Sequence, residues 1–180
     1  YQVFVIPTGF TEPTEIAAVE IRPGNAAVDH HALVGYTDDP FVVAQAMAMD
    51  LLDPTPGYES FGDYGVPVEQ FLFGGWVPGT PPLEFPPTIG HVAQPGSHLL
   101  LQMHYGPSAV DQVDQTEINL FFADEPIQRE VETFIMDPTY LDGGWGSFVI
   151  PPNEVTTFHG SIYIEEDVSL ISITPHCHLL

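Results

Sequence analysis

With 180 residues, 44% of them hydrophobic and twelve of them Phe, the chain is long enough for one full core and too apolar for a disordered acidic tail. Two Arg and no Lys stand against 25 Asp plus Glu, a formal charge of −23. This balance excludes the basic surface that nucleic acid or an anionic membrane requires. Cys177 is the single cysteine, so no intrachain disulfide can form, and no apolar run reaches the length of a membrane span.

The opening residues, Tyr1-Gln2-Val3-Phe4-Val5-Ile6, read as a strand over 2–6 and not as a signal peptide, so the chain is expected to begin inside a mature domain. Further strands are expected at 15–21 and 27–35. From Asp39 to Leu52 the pattern changes: Pro40 suits a first helical turn, and Ala44, Ala46, Met47, Ala48 and Leu51 favour a short helix. Asp53 to Pro67, rich in Gly and Pro, predicts a long surface excursion.

A strand at 70–73 leads into two Pro-dense stretches, Trp76 to Pro82 and Phe85-Pro86-Pro87. Proline lacks the N–H that a central strand needs, so these are expected to be loops or edge segments. Strands follow at 98–105, 116–123 and 129–135. Near Met136-Asp137-Pro138 the pattern stops, which places a domain boundary between 1–136 and 137–180. Strands are expected again at 146–150, 155–164 and 168–178. Short β-branched and aromatic runs punctuated by nineteen Pro and sixteen Gly define an all-β class of the sandwich type.

Three arrangements stand out among the eight His residues. His30 and His31 are adjacent, and neighbours on a regular strand face opposite ways, so both can reach one metal only if the backbone twists or bulges there. His104 ends the apolar run Leu99-Leu100-Leu101-Gln102-Met103 and precedes the break at Gly106-Pro107; alone, such a residue reads as a satisfied core histidine. In His176-Cys177-His178, alternation puts both imidazoles on one face, within reach of a single ion, with Cys177 pointing away. His91, His98 and His159 have no partner at ligand spacing and are assigned surface or hydrogen-bonding roles.

In this order the landmarks resemble the copper type II, ascorbate-dependent monooxygenases, the family of peptidylglycine α-hydroxylating monooxygenase and dopamine β-hydroxylase, with a wording closer to bacterial members. They are Pro23-Gly24-Asn25 before His30-His31, Gly75-Trp76-Val77-Pro78-Gly79 before Phe85-Pro86-Pro87, Leu100-Leu101-Gln102-Met103-His104-Tyr105, Ile150-Pro151-Pro152 and Pro175-His176-Cys177-His178. The resemblance implies a jelly-roll-like antiparallel β-sandwich followed by the start of a second, similar sandwich, in a secreted or periplasmic protein. It implies one copper held by His30, His31 and His104, storing and delivering an electron. It implies a second copper held by His176 and His178 with a Met thioether, activating dioxygen. Gln102 matches a position beside the path between the two. Ascorbate or a similar reductant would supply electrons for hydroxylating a substrate C–H bond.

Three departures shape that expectation. Met47, Met49, Met103 and Met136 do not match the thioether ligand, which would lie with the rest of the second domain beyond Leu180. Thr174 stands where peptide-amidating members carry an Arg that grips a carboxylate, which turns the expected substrate away from peptidyl-glycine. The disulfides of animal members have no counterpart, so stability is expected to rest on burial and β pairing. Rival readings are a non-enzymatic secreted copper-binding or structural module and, less favoured, a zinc hydrolase. The latter lacks a Glu at H-E-x-x-H spacing. No nucleic-acid partner and no membrane insertion are expected; the substrate, a small molecule or peptide, is not specified.

Overall fold

The computed structural model describes residues 1–68, 70–173 and 175, with the backbone alone for 70–74. The elements in chain order are β1 (Gln2–Pro7), β2 (Thr14–Arg22), β3 (Asp29–Thr37), α1 (Pro40–Leu52), β4 (Tyr58–Glu59), β5 (Gln70–Trp76), β6 (Leu83–Glu84), β7 (Ile89–Ala93), β8 (His98–Tyr105), β9 (Glu117–Phe122) and β10 (Arg129–Glu130). The chain divides into two compact units, Tyr1–Thr133 and Phe134–Leu180.

The first unit is built on two sheets. One runs β4-β1-β8-β3-β5, antiparallel throughout. The other runs β10-β7-β2-β6 with β9 also paired to β2, and only its β10–β7 contact is parallel. Alternation along β3 and β8 sends Ala32, Val34, Tyr36, Leu99, Leu101 and Met103 to one face, where they meet Ile16, Val19 and Ala93 of the second sheet with Trp76 and Phe85. The opposite face carries Val3 and Leu100 and is covered by Val42 and Ala46 of α1 and by Tyr58, Tyr64 and Val66. Burial on both faces is why β8 reads as an unbroken apolar run and not as an alternating one.

The helix forms as its sequence requires. The Asp39 carboxylate accepts a 2.7 Å hydrogen bond from the Phe41 N–H, and Pro40 occupies the first turn. Val42 and Ala46, one turn apart, face the sheet. The segment after the helix differs from the expected surface excursion. Tyr58 and Glu59 pair with β1, and the Tyr58 hydroxyl donates to the Tyr64 carbonyl at 2.5 Å inside the core. Burial, followed by the charges of Asp50 and Asp63, pushes the Tyr58 phenol up to about 12. Gly35 makes this cover possible: a Cβ there would come within 2.8 Å of Val68 Cγ1 and 3.0 Å of the Tyr64 ring.

The strands expected in the first unit form within a few residues of their expected bounds, except that 129–135 contracts to Arg129–Glu130. Three strands were not expected: β4, β6 and β7. β6 is an edge pair beside the prolines of 81–82 and 86–87, and β7 sits beyond them. In the second unit the expected strands at 146–150 and 155–164 do not form. Three-residue and four-residue 3-10 turns occupy Pro138–Tyr140 and Gly144–Ser147, and a single bridge joins Leu141 to Gly160. Described residues of 168–178 likewise show no strand, and none of the described side chains from 134 onward is buried. An alternating apolar pattern becomes a strand only where a neighbour supplies the ladder, and the described part of this unit offers just that one bridge.

Candidate metal centre

The ladder between β3 and β8 sets Asp29 opposite Tyr105 and His31 opposite His104, leaving His30 as the extra residue of a β-bulge. The bulge removes the obstacle that strict alternation would impose on adjacent histidines. The Nδ1 atoms of His30 and His31 lie 2.9 Å apart, and Nδ1 of His104 lies 3.3 Å from Nδ1 of His31. One ligand atom from each ring falls within 4.8 Å of the other two. His31 is buried, His104 half-buried and His30 exposed.

The His30–His31 and His31–His104 separations fit a metal ion. Two imidazole nitrogens at about 2.0–2.1 Å from one ion, subtending about 90–110°, stand about 2.9–3.4 Å apart. Three neutral imidazoles can supply three lone pairs to a cation of intermediate softness and leave further coordination positions to a small ligand. Without an ion the same contacts can be N–H···N hydrogen bonds, with the donor set by the tautomer of each ring. His31 and His104 stand on the sheet face that carries Leu33 and Leu100, not on the face shared with the second sheet.

Aromatic rings and an amide surround the cluster. The Tyr1 ring stacks on His104 with centroids 4.0 Å apart and planes 10° from parallel, and it meets His31 edge-on at 5.9 Å. Phe61 packs its ring against Tyr1 at 4.9 Å and 73°. Burial raises the Tyr1 phenol above its ordinary range. Gln102, two residues before His104 on the same face, is buried, and its amide N–H groups reach the carbonyls of Ser60, at 3.4 Å, and Asp63. The resemblance implies for Gln102 a place beside a path between two coppers; the structure shows its amide tying the 60–63 loop to the sheet.

Below the bulge, the buried Asp29 carboxylate accepts the Asn25 N–H at 2.9 Å, closing the Asn25–Asp29 turn that launches β3. Burial raises the Asp29 carboxyl first of all; the Asn25 hydrogen bond opposes this and the nearby Asp114 adds to it. The Tyr105 hydroxyl donates to Asp114 at 2.9 Å, and burial together with that carboxylate raises its phenol. The bulge is thus flanked by a fixed turn on one strand and an anchored tyrosine on the other.

The remaining histidines separate. His91, expected at the surface or in a hydrogen bond, is instead buried on β7 with neither ring nitrogen hydrogen-bonded. Its ring lies edge-on to Tyr36 at 4.4 Å, and its Nδ1 is 3.8 Å from the Glu130 carboxylate. The Pro-rich flank concealed β7, and with it the facing of His91. His98 places Nδ1 3.0 Å from the Gly96 carbonyl, and His159 is exposed. Thr174, His176, Cys177 and His178 lie outside the described residues. Tyr1 and Phe61 carry no ligand chemistry or spacing signal, so sequence reasoning passed over them.

No family model, no curated protein and no solved structure matches the chain. Among the described residues no helix is long and apolar enough to cross a membrane.

Proposed function

We propose that this chain is the copper-binding part of a type II copper, ascorbate-dependent monooxygenase. In this reading a jelly-roll-like sandwich carries His30, His31 and His104 as the ligands of one copper, and His176 and His178 begin a second site. The observation that supports it most is the convergence of three Nδ1 atoms, from residues 30, 31 and 104, across a β-bulge. The ordered landmarks shared with that family supply the choice of metal and reaction. Bound copper would supply one-electron chemistry and, with the second site complete, hydroxylation of a C–H bond by dioxygen with ascorbate as reductant.

The chain's own residues contribute placement. Imidazole suits both Cu(I) and Cu(II), so an all-His set can serve both states with little rearrangement. Burial holds His31, and the bulge and the strand register bring His30 and His104 beside it, so the backbone sets the three rings together before an ion arrives. A secreted or periplasmic location is part of the same reading, and the two-Arg, acidic surface suits it without requiring it.

Copper titration followed by electron paramagnetic resonance tests the site. The expected result is a nitrogen-coordinated Cu(II) signal that His104→Ala abolishes while the metal-free fold is retained. Wild-type copper binding by His104→Ala would refute the ligand set. Preferential zinc retention would redirect the site to zinc chemistry. Copper binding without ascorbate-dependent, substrate-coupled oxygen uptake in a chain extended past Leu180 would leave a copper-binding module.

A further inference from the structure

Asp29 is only 3% exposed, and its carboxylate is short of donors. Oδ2 accepts the Asn25 N–H at 2.9 Å. Oδ1 is buried as well and meets no donor among the described residues. A buried carboxylate oxygen left in that state carries a desolvation cost that native proteins nearly always offset. The charge that acts on Asp29 is of its own sign: Asp114 stands within hydrogen-bonding reach of it. The chain's cations are engaged elsewhere, for it has no Lys, Arg22 pairs with Glu117, and Arg129 stands on β10 beside β7. Two segments hold the pair of carboxylates together. Asn25 Nδ2 donates to the Gln112 side chain and to the Val113 carbonyl, each at 3.0 Å, and the Gly24 N–H donates to the Thr116 hydroxyl at 3.3 Å. Gly24 permits this approach, since a Cβ there would come within 2.6 Å of Asp114 Oδ1. Asp114 in turn accepts the Tyr105 hydroxyl at 2.9 Å and the Thr116 hydroxyl at 3.0 Å.

We propose that Asp29 and Asp114 form a binding site for calcium, separate from the three-histidine cluster and independent of the copper reading. The donor set decides the class of ion: carboxylate and hydroxyl oxygens suit a hard cation, whereas imidazole suits softer ones. Asp29 Oδ1 offers lone pairs that no N–H uses, and Asp114 brings a second carboxylate. The Tyr105 and Thr116 hydroxyls, now donating to Asp114, can rotate and turn their oxygens toward an ion. Asp114 is half-buried, so one side of the site is open to solvent and water completes the shell. Calcium accepts such an irregular set of oxygens, while magnesium demands a near-octahedral one. The net charge of −23 concentrates cations around the whole molecule and favours occupancy. An ion here joins the turn before β3 to the segment before β9. It thereby fastens the chain beside the bulge, because Asp29 precedes His30 and Tyr105 follows His104.

Titration calorimetry and thermal melting of the whole chain with CaCl2 test the site, at a constant NaCl of about 0.2 M so that general screening is fixed. Wild type is expected to bind a single calcium with a dissociation constant of about 10−4–10−3 M, and to melt about 3–10 °C higher at roughly ten times that concentration. Equal MgCl2 should raise the melting temperature far less. Asp29→Asn keeps the side chain's size and an oxygen for the Asn25 N–H, and its amide can donate to Asp114. That variant should therefore fold, melt without calcium at or above the wild-type temperature, and show no calcium response. Asp114→Asn reaches the same loss from the half-buried side of the pair. His104→Ala should keep the response in full. Calcium binding by Asp29→Asn and Asp114→Asn equal to wild type overturns the proposal, as does an equal rise with MgCl2, which would assign the effect to the acidic surface at large. No binding by wild type overturns it too and leaves the two carboxyls sharing a proton. Loss of the response in His104→Ala would move the ion to the histidines and likewise overturn it. Calcium binding as described without copper uptake would strike the copper reading and leave this site standing.

Discussion

His30 owes its position to one inserted residue. Without the register shift between Asp29 and His31, its side chain would lie across the sheet from His31, and the two imidazoles could not share an ion. Gln102 shows the same economy in another form: a polar side chain in the apolar run of β8 is tolerated because its amide satisfies two loop carbonyls. Replacing Gln102 with Leu should cost about 1 kcal/mol, because two part-buried bonds to the loop carbonyls are lost while the buried, unpartnered Gln102 Oε1 is removed with them. Urea unfolding monitored by tryptophan fluorescence checks it: the midpoint should fall with little change in slope. The same variant should loosen Phe61 from Tyr1. A midpoint equal to wild type would mean that the loop is held by other contacts.

Among the elements, β7 carries the clearest consequence. It delivers His91 between the sheets, beside Tyr36, where burial lowers the imidazole's affinity for a proton while Glu130 and Asp38 pull weakly the other way. The unfolded chain then binds a proton at His91 more readily than the folded one. The stability associated with a neutral His91 is fully present above the ordinary histidine value of 6.5 and is lost as pH falls below it toward the lowered folded value. Unfolding free energies measured at about pH 7.5 and about pH 5.5 should decline on acidification in wild type and decline less in His91→Leu. Identical declines would show that His91 contributes nothing to the acid response. α1 and β8 behave differently: their signals are local. A capping Asp39, a first-turn Pro40 and an uninterrupted Leu99-Leu100-Leu101 each specify their element without reference to distant partners.

Over the whole molecule the charge dominates. A formal −23 is opposed by two Arg, and the Arg22–Glu117 pair, 3.9 Å apart with both side chains exposed, contributes little. Self-repulsion across such a surface destabilises the compact state. Raising salt from about 0.01 M to about 1 M shortens the screening length from about 30 Å to about 3 Å. Calorimetry should therefore show the melting temperature rising with NaCl, about 2–4 °C for each kcal/mol of repulsion screened. A flat or falling curve would place the charges too far apart to interact.

The amino-acid order alone determined the β-rich class, the helix after Asp39, the central strands and the identity of the candidate ligands, because those signals are periodicity, capping and residue type, all local. It misjudged the strands at 146–150 and 155–164 and concealed β7, since a β pattern is realised only where another strand completes the ladder, and prolines near an edge hide one that does. Tertiary structure decided the rest: the bulge at His30, the meeting of His104 with a residue 73 positions earlier, the burial of His91, and the placing of Tyr1 over His104. Each depends on which strand lies beside which and in what register, and register is a property of pairs distant in sequence that no single segment encodes.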